Sequence, residues 1–211
     1  LDGLLDVVEQ LQGCPLPASA FEADILPARL DGYRTSDLDE LCSAGEVVWR
    51  GVESIGPHDG RIVVTLAEHA SLLPDAQEQL CEPLQQQIRD VLGERGALYF
   101  DEIVAQIGGF SQDLLQHLWE LVWRGVVTND TLAPLRSLRR AAGGEGKRRR
   151  RGQRRYRSRR TQRRPGTEGR WSLFDTRHTH TPTERQTALA TQLIERYGVV
   201  TRQLVTSERI A

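Results

Sequence analysis

The chain has 211 residues and a formal net charge of −1, so its length allows one or two ordinary domains, and the overall charge at first argues against a nucleic-acid partner. No apolar run is long enough to cross a membrane, and the N-terminal residues do not resemble a signal peptide. The three cysteines are widely spaced and predict no disulfide framework, which is typical of an intracellular, reducing compartment.

The average charge hides a strong asymmetry along the chain. Residues 1–135 carry 7 basic and 23 acidic side chains, whereas residues 136–170 carry 16 basic and 2 acidic ones. An acidic body with one intensely basic segment indicates an interaction loop for a polyanion.

A first winged helix-turn-helix unit is predicted for residues 1–72. Apolar residues at helical spacing in residues 4–12 predict its first helix, and a short strand and a second helix follow. Ser36 together with Asp39 is typical of an N-terminal cap for the third helix. Gly45 is typical of its left-handed C-terminal cap.

The β-wing of this unit follows the third helix. Residues 46–50 and 61–66 are rich in β-branched side chains and predict two strands. The intervening residues 51–60 contain the Gly, Pro and Asp-Gly typical of turns, and they predict the hairpin loop.

The chain then repeats itself at an offset of 80 residues. The pattern Leu-x-Glu-Leu-x3-Gly-x-Val begins at Leu38 and recurs at Leu118. It predicts a second unit at residues 82–174, after a linker at residues 73–81. The third helix of this unit is predicted for residues 111–124.

The second unit lacks a return strand within the reach of a hairpin. Its first wing strand is predicted at residues 126–129, with Ser111 as the cap of the preceding helix. The next strand candidate is the sequence RWSLF at residues 170–174. We therefore interpret residues 136–170 as an Arg-rich insertion that greatly extends the wing of the second unit.

The basic tract at residues 147–164 is the strongest functional signal in the sequence. It has 12 basic residues in 18 and a single aromatic one, so we expect it to be disordered when free. Guanidinium groups pair with phosphates, and each neutralised phosphate releases counterions, which predicts binding that is sensitive to salt and independent of sequence. An open alternative is that the tract folds onto the acidic body or binds a protein. The candidate nucleic-acid-binding residues are Lys147, Arg148, Arg149, Arg150, Arg151, Arg154, Arg155, Tyr156, Arg157, Arg159, Arg160, Arg163 and Arg164.

The two candidate recognition helices do not favour groove readout. The first carries Asp37, Asp39 and Glu40 without a base, and the second is also weakly acidic. Acidic helices are repelled by phosphates, so both units are predicted to be scaffolds that hold the basic wing rather than readers of a major groove. Trp119 and Trp123, four residues apart on one helix, indicate packing.

A third unit is predicted for residues 182–211 and is truncated there, without its third helix and wing. Its first helix is amphipathic over residues 183–197. Methionine is absent from the whole chain, including position 1, and both observations favour a piece of a longer protein.

No catalytic residue and no metal site is predicted. The chain lacks a Gly-x4-Gly-Lys-Ser/Thr phosphate loop and any Cys-x2-Cys pair, and His178-x-His180 is best explained as a polar loop. Gln85-x-Gln87 is similar to the Gln-x-Gln motif of some DNA glycosylases, but the middle residue should be apolar and is Gln86 here.

Five strings cover nearly the whole chain apart from the basic tract and resemble the C-terminal half of the bacterial large helicase-related proteins, Lhr. They are PLPASAFEADILPARLDGY (15–33), DLDELCSAGEVVW (37–49), LWELVWRGVVTNDTLAPLRSL (118–138), GRWSLF (169–174) and PTERQTALATQLIERYGVVTRQLV (182–205).

This resemblance implies a longer bacterial cytoplasmic protein with an ATP- and Mg-dependent motor. The motor moves 3′ to 5′ on single-stranded DNA and unwinds DNA and RNA–DNA hybrids. It further implies an α+β, helix-rich fold of tandem winged helices, similar to those of DNA glycosylases that act in repair. The sequence therefore predicts a non-catalytic, winged-helix nucleic-acid-binding region of an Lhr-type helicase. Two alternatives stay open: part of a glycosylase module whose catalytic carboxylate lies beyond Ala211, and a scaffold for homo-oligomers.

Overall fold

The fold is known from a computed structural model. It is the predicted one, a helix-rich α+β arrangement with two small antiparallel sheets. The side chains of residues 142–148, 182 and 207 are not described. The structure describes residues 1–73, 81–148, 164–174 and 180–207.

The first unit follows the predicted order of helices and strands. Its strands form a sheet in the order β1-β3-β2, against which α1 and α3 bury their apolar faces. Trp49, on β2, is completely buried between these layers. The elements are α1 (Asp2–Leu11), β1 (Leu16–Pro17), a short α2 (Ala18–Ala20) continued by a π-helical turn (Phe21–Ile25), α3 (Thr35–Ala44), β2 (Val47–Gly56), β3 (Asp59–Leu66) and a 3-10 helix (Ala67–Leu72).

The hairpin of the first unit is longer than predicted. Strand pairing continues through most of residues 51–60, which the turn residues had indicated as a loop. Register shifts after Gly51 and after Ser54 let both strands continue past irregular positions, as β-bulges do. The Asp59 carboxylate then accepts hydrogen bonds from the backbone N–H groups of Gly60 (3.0 Å) and Ser19 (3.1 Å), which closes the turn.

The second unit repeats this arrangement. Its sheet has the order β4-β6-β5, which is the order of the first sheet with the return strand in the centre. Strand β6 supplies the return strand predicted at residues 170–174 and pairs with β5 from Val127↔Leu173 to Asn129↔Trp171. The elements are α4 (Pro83–Arg95), β4 (Leu98–Tyr99), α5 (Phe100–Ile107), α6 (Ser111–Trp123), β5 (Val127–Asn129), α7 (Ala133–Arg148) and β6 (Arg170–Leu173).

Helix α7 is an element that the sequence analysis did not predict. It occupies the beginning of the insertion and includes the first two residues of the basic tract, Lys147 and Arg148, which were expected to be disordered. Leu132 and Leu135, at its start, are almost fully buried and attach it to the main core. The wing insertion is therefore partly helical.

The predicted N-terminal caps of the third helices are wrong. Arg34 and Phe110 occupy the cap positions of α3 and α6, and neither side chain caps its helix. Ser36 and Ser111 lie within the first helical turns. Asp39 is used elsewhere, in a contact with the second unit.

The C-terminal turns of α3 and α6 contact the opposite units in a reciprocal way. In α3, Ser43 Oγ donates to the backbone carbonyl of Asp130, 3.1 Å away in the second unit. In α6, the backbone at Val122 lies so close to Gly51 of the first unit that a Cβ at position 51 would collide with its carbonyl. Both candidate recognition helices are thus used for packing between the units.

The same interface brings the two sheets edge to edge. Thr128 Oγ1 of β5 donates to the Trp49 carbonyl of β2 at 2.5 Å, and Trp49 Nε1 donates to the Thr131 carbonyl at 3.1 Å. At the other end of the interface, Arg50 lies 5.3 Å from the ring centroid of Phe174. These contacts make one continuous body of the first two units.

The residues predicted to begin a third unit form α8 (Pro182–Tyr197) and α9 (Arg202–Ser207). Thr181 and Glu184 form a reciprocal capping box at the start of α8. Arg196 donates to the carbonyls of Gln10 (3.1 Å) and Gln12 (2.5 Å) and so caps the C-terminal end of α1. Among the described helices, none is long and apolar enough to cross a membrane.

Candidate nucleic-acid interface

The start of α7 is held by carboxylates of the first unit. Arg136 is 2.7 Å from Glu22 and also forms an ion pair with Asp39. Asp39 Oδ1 accepts a hydrogen bond of 2.9 Å from the backbone N–H of Leu132, one residue before α7. Two acidic residues of one unit therefore fix the first turn of a helix that belongs to the other unit.

This ionic cluster is largely shielded from water. The side chains of Glu22 and Arg136 are 6% and 14% exposed, and Tyr33 Oη donates to Glu22 at 3.0 Å. Burial raises the pKa of Glu22, although Arg136 and the Tyr33 hydroxyl lower it. Burial alone would lower the pKa of Arg136, but the carboxylates of Glu22 and Asp39 outweigh this and raise it.

The second unit holds the opposite side of the same turn. Ser137 Oγ lies 2.6 Å from the backbone N of Gly166 and 2.7 Å from Glu168 Oε2. Trp119 Nε1 donates to the Gly166 carbonyl at 3.1 Å. The chain thus leaves the body along α7 and returns at Gly166, which contacts Ser137 in the first turn of that helix. We call residues 132–138 together with 164–169 the arm root.

Close packing at the arm root requires glycine. A Cβ at Gly166 would lie 2.8 Å from Trp119 Nε1 and 2.9 Å from Leu138 Cδ2, and φ is +82° there. A Cβ at Gly169 would collide with the Asn129 side chain. Residues 166–169, where the chain returns, are therefore packed closely against the second unit.

The predicted binding residues fall into three groups. Lys147 and Arg148 lie at the end of α7, which is about 17 Å along the helix axis from Ser137. Arg164 is exposed and is the first residue of the returning part of the arm root. The others lie outside the described residues and their contacts stay a prediction: Arg149, Arg150, Arg151, Arg154, Arg155, Tyr156, Arg157, Arg159, Arg160 and Arg163.

The glutamine motif noted in the sequence has a structural role. Gln85 is 4% exposed, donates to Glu120 at 2.8 Å and accepts from Arg124 at 2.9 Å. Its side chain also accepts from the backbone N–H of Glu82 in the capping box of α4. These contacts leave it no role towards a nucleobase. Within the described ranges, no group of three or more metal-binding side chains converges.

Sequence reasoning did not identify the residues of the arm root. Glu22, Arg136 and Ser137 are unremarkable in the sequence because the contacts that they make at the arm root join residues 29 to 114 positions apart. The sequence offered one signal: the first unit is acidic, and Arg136 is a basic residue that precedes the basic tract.

Comparisons with known proteins agree with this fold. Residues 1–67 match the winged-helix domain of the large helicase-related protein. The whole chain is 40% identical to the "Lhr helicase/uracil glycosylase" of Escherichia coli (strain K12). It is 37% identical over its whole length to the "Lhr helicase/ probable uracil glycosylase" of Mycolicibacterium smegmatis. The chain belongs to the Lhr family.

The predicted family is thereby confirmed, and the chain is a winged-helix region of Lhr type. It spans 15% of the length of each of these two relatives. The activity, substrates and partners of a whole Lhr protein are therefore matters for proposal.

Proposed function

We propose that this winged-helix region binds nucleic acid without choosing sequence, through the phosphates that the basic tract contacts, and that it has no catalytic role of its own. In this proposal ATP, Mg²⁺ and 3′-to-5′ unwinding of DNA or RNA–DNA hybrids belong to the motor of a longer helicase. The region adds affinity next to the path of the strand.

The observation that supports this most is the arm root. It fixes to the body the start of the helix that leads into the basic tract and the chain that returns after the tract. The first 135 residues of the chain carry 23 acidic and 7 basic side chains. The body repels phosphates and the tract attracts them, so a nucleic acid would meet the protein at the tract.

Packing of the third helices supports the same choice. The C-terminal turns of α3 and α6 are occupied by the opposite unit, through Ser43 and Val122. On α6, the exposed residues are Gln112, Asp113 and Gln116, which offer no positive charge. Readout by a recognition helix in the major groove does not suit these surfaces.

Neutralising part of the tract tests the proposal. We expect that replacing the four arginines at 148–151 by glutamine weakens binding of the full chain to fluorescein-labelled oligo(dT). The slope of log K against log salt should become less steep by about 0.7 for each phosphate that the variant no longer neutralises. Fluorescence anisotropy at several salt concentrations measures both quantities. Deletion of residues 147–164 should abolish the salt-sensitive binding.

The matched control removes the same charge from elsewhere. Arg29, Arg34, Arg95 and Arg202 are exposed and lie outside the tract, and all four are replaced by glutamine. Equal losses in the two quadruple variants would show that net charge matters and the tract does not. That result would overturn the proposal.

The names of the relatives favour a second candidate function. Both include uracil glycosylase, so this region could serve a uracil-excising module in a longer protein. Oligo(dT) containing one deoxyuridine, incubated with the longer protein and then treated with alkali, tests this candidate. Strand cleavage that requires this region supports it, whereas equal cleavage without the region rejects it.

A further inference from the structure

Arg136 differs from Arg140, another arginine of the insertion, in what surrounds it. Its side chain is 14% exposed and lies between two carboxylates, whereas Arg140, one turn further along α7, is exposed. A phosphate would have to displace Glu22 and Asp39 to reach it. Arg136 is therefore not a contact residue for nucleic acid.

The ionic cluster is not needed to attach α7. Leu132 and Leu135 are 1% and 4% exposed and join the main core. Buried ion pairs contribute little net stability compared with apolar groups of the same volume, and their best-supported role is to select one arrangement. Apolar burial holds the helix on the body, but it does not select the direction in which the helix points.

Arg136 can select the direction in which α7 points because its two ion-pair partners lie on different elements. Glu22 lies on the π-helical turn at Phe21–Ile25 and Asp39 lies on α3. Tyr33, which lies between these two elements in the chain, donates a hydrogen bond to the Glu22 carboxylate. On the adjacent residue, Ser137 contacts the second unit through Gly166. The first turn of α7 is thus clamped from both units.

We propose that Arg136 is a positioning residue for nucleic-acid binding: by bridging Glu22 and Asp39 it sets the direction in which α7 carries the basic tract away from the body. This inference rests on the proposed function of the tract. A tract presented in one direction loses less conformational freedom on binding than one on a swivelling helix, and this preorganisation appears as affinity.

The decisive variant is the double substitution Glu22→Gln with Asp39→Asn, because it leaves every basic residue in place. Removing two negative charges strengthens nucleic-acid binding if only overall electrostatics matters. Positioning predicts the opposite, a loss of roughly three- to tenfold, the cost of ordering one or two long side chains. The two explanations therefore differ in sign for the same measurement with oligo(dT).

Two further variants separate positioning from contact. Arg136→Gln should lower affinity by a similar factor without changing the salt slope, because the tract still neutralises the same number of phosphates. Arg140→Gln removes the same charge from an exposed site of the same helix and should leave the direction of α7 unchanged. A fall in the salt slope for Arg136→Gln would show direct contact and overturn the proposal.

The direction of α7 can be measured independently of binding. Spin labels at Glu40 on α3 and Arg140 on α7, with Cys14 and Cys81 replaced by serine, report one inter-helix distance by pulsed electron paramagnetic resonance. We expect a narrow distribution in the parent and a broad one in Arg136→Gln and in the Glu22→Gln, Asp39→Asn variant. If Arg136→Gln does not fold, the double variant alone tests whether the ionic cluster sets the direction of α7.

The outcomes distinguish this proposal from the one it rests on. If deletion of residues 147–164 leaves affinity unchanged, both proposals fail. If that deletion weakens binding while the double carboxylate variant binds as well as or better than the parent, positioning alone is overturned. Weaker binding and a broadened distance distribution together support it.

Discussion

Individual side chains in this chain have roles that their residue types did not indicate. Asp39 looked like a repulsive charge on a recognition helix and a component of an N-terminal cap. In the structure it accepts from the Leu132 N–H and pairs with Arg136, both in the other unit. Its function was invisible in the sequence because local helix rules concern neighbours within four residues, and these partners are more than 90 residues away.

Glu22 makes the ionic cluster sensitive to pH. Its pKa is raised in the folded state above the ordinary value of 4.5, mainly by burial and against the opposing effect of Arg136. The folded protein therefore holds this proton more tightly than the unfolded chain, and the contribution of Glu22 to stability falls as the pH rises above about 4.5.

Glu22→Gln removes this titration. The stability of the parent relative to the variant should be greatest near pH 4 and should decline towards pH 7, measured as free energies of unfolding from urea titrations at both pH values. A difference that increases with pH would mean that the ion pair, and not burial, dominates. Asp39, Tyr33 and Arg136, which surround Glu22 in the cluster, are present in both proteins.

At the scale of elements, the sequence pattern predicted helices and strands well where apolar residues recur at regular spacing. It predicted them poorly where an element depends on contacts with residues far away in the chain. The helices of both units, and β6 as the return strand of the second, followed from apolar spacing and from the internal repeat. Helix α7 was missed because its sequence contains Gly143, Gly144 and Gly146 next to a run of arginines, which have the composition of a disordered loop. The burial of Leu132 and Leu135 and the contacts of the arm root explain why it forms at its start.

The return of the chain at the arm root depends on Gly166. Gly166→Ala combines a positive φ with a Cβ in contact with Trp119 Nε1, so we expect a loss of about 2–4 kcal/mol in the free energy of unfolding. Gly45→Ala is the matched control, because the backbone there is left-handed, with φ of +77°, and no atom lies within 4 Å of the added Cβ. It should cost only about 1–2 kcal/mol, the penalty of the left-handed backbone alone. Urea unfolding followed by tryptophan fluorescence measures both, and equal losses would show that the contact with Trp119 is unimportant.

At the scale of the whole molecule, the sequence predicted two complete winged-helix units and a truncated third, but not how the first two fit together. The internal repeat with its offset of 80 residues indicated duplicate units, and acidic third helices indicated that they act as scaffolds. The reciprocal packing of α3 and α6 gives that interpretation a physical basis. It could not be predicted because Gly51, where the backbones meet, has the sequence context of a turn.

The contact at Gly51 belongs to the interface that joins the first two units, and one added methyl group is expected to disturb it. In Gly51→Ala the added Cβ collides with the Val122 carbonyl, so the units must separate locally or the strand must bend. We expect a loss of about 3 kcal/mol or more and unfolding in two steps instead of one, since the apolar contacts across the interface are weakened.

Gly56→Ala provides the control on the same strand, because no atom lies within 4 Å of a Cβ at that position. Its stability should stay within about 0.5 kcal/mol of the parent. Calorimetry gives the number of transitions, and small-angle scattering gives the radius of gyration, which should increase for Gly51→Ala alone. A single transition with an unchanged radius in Gly51→Ala would mean that the backbone adjusts without opening the interface. In that case the arm root, which is held from both units, would keep its geometry, and nucleic-acid affinity should equal that of the parent.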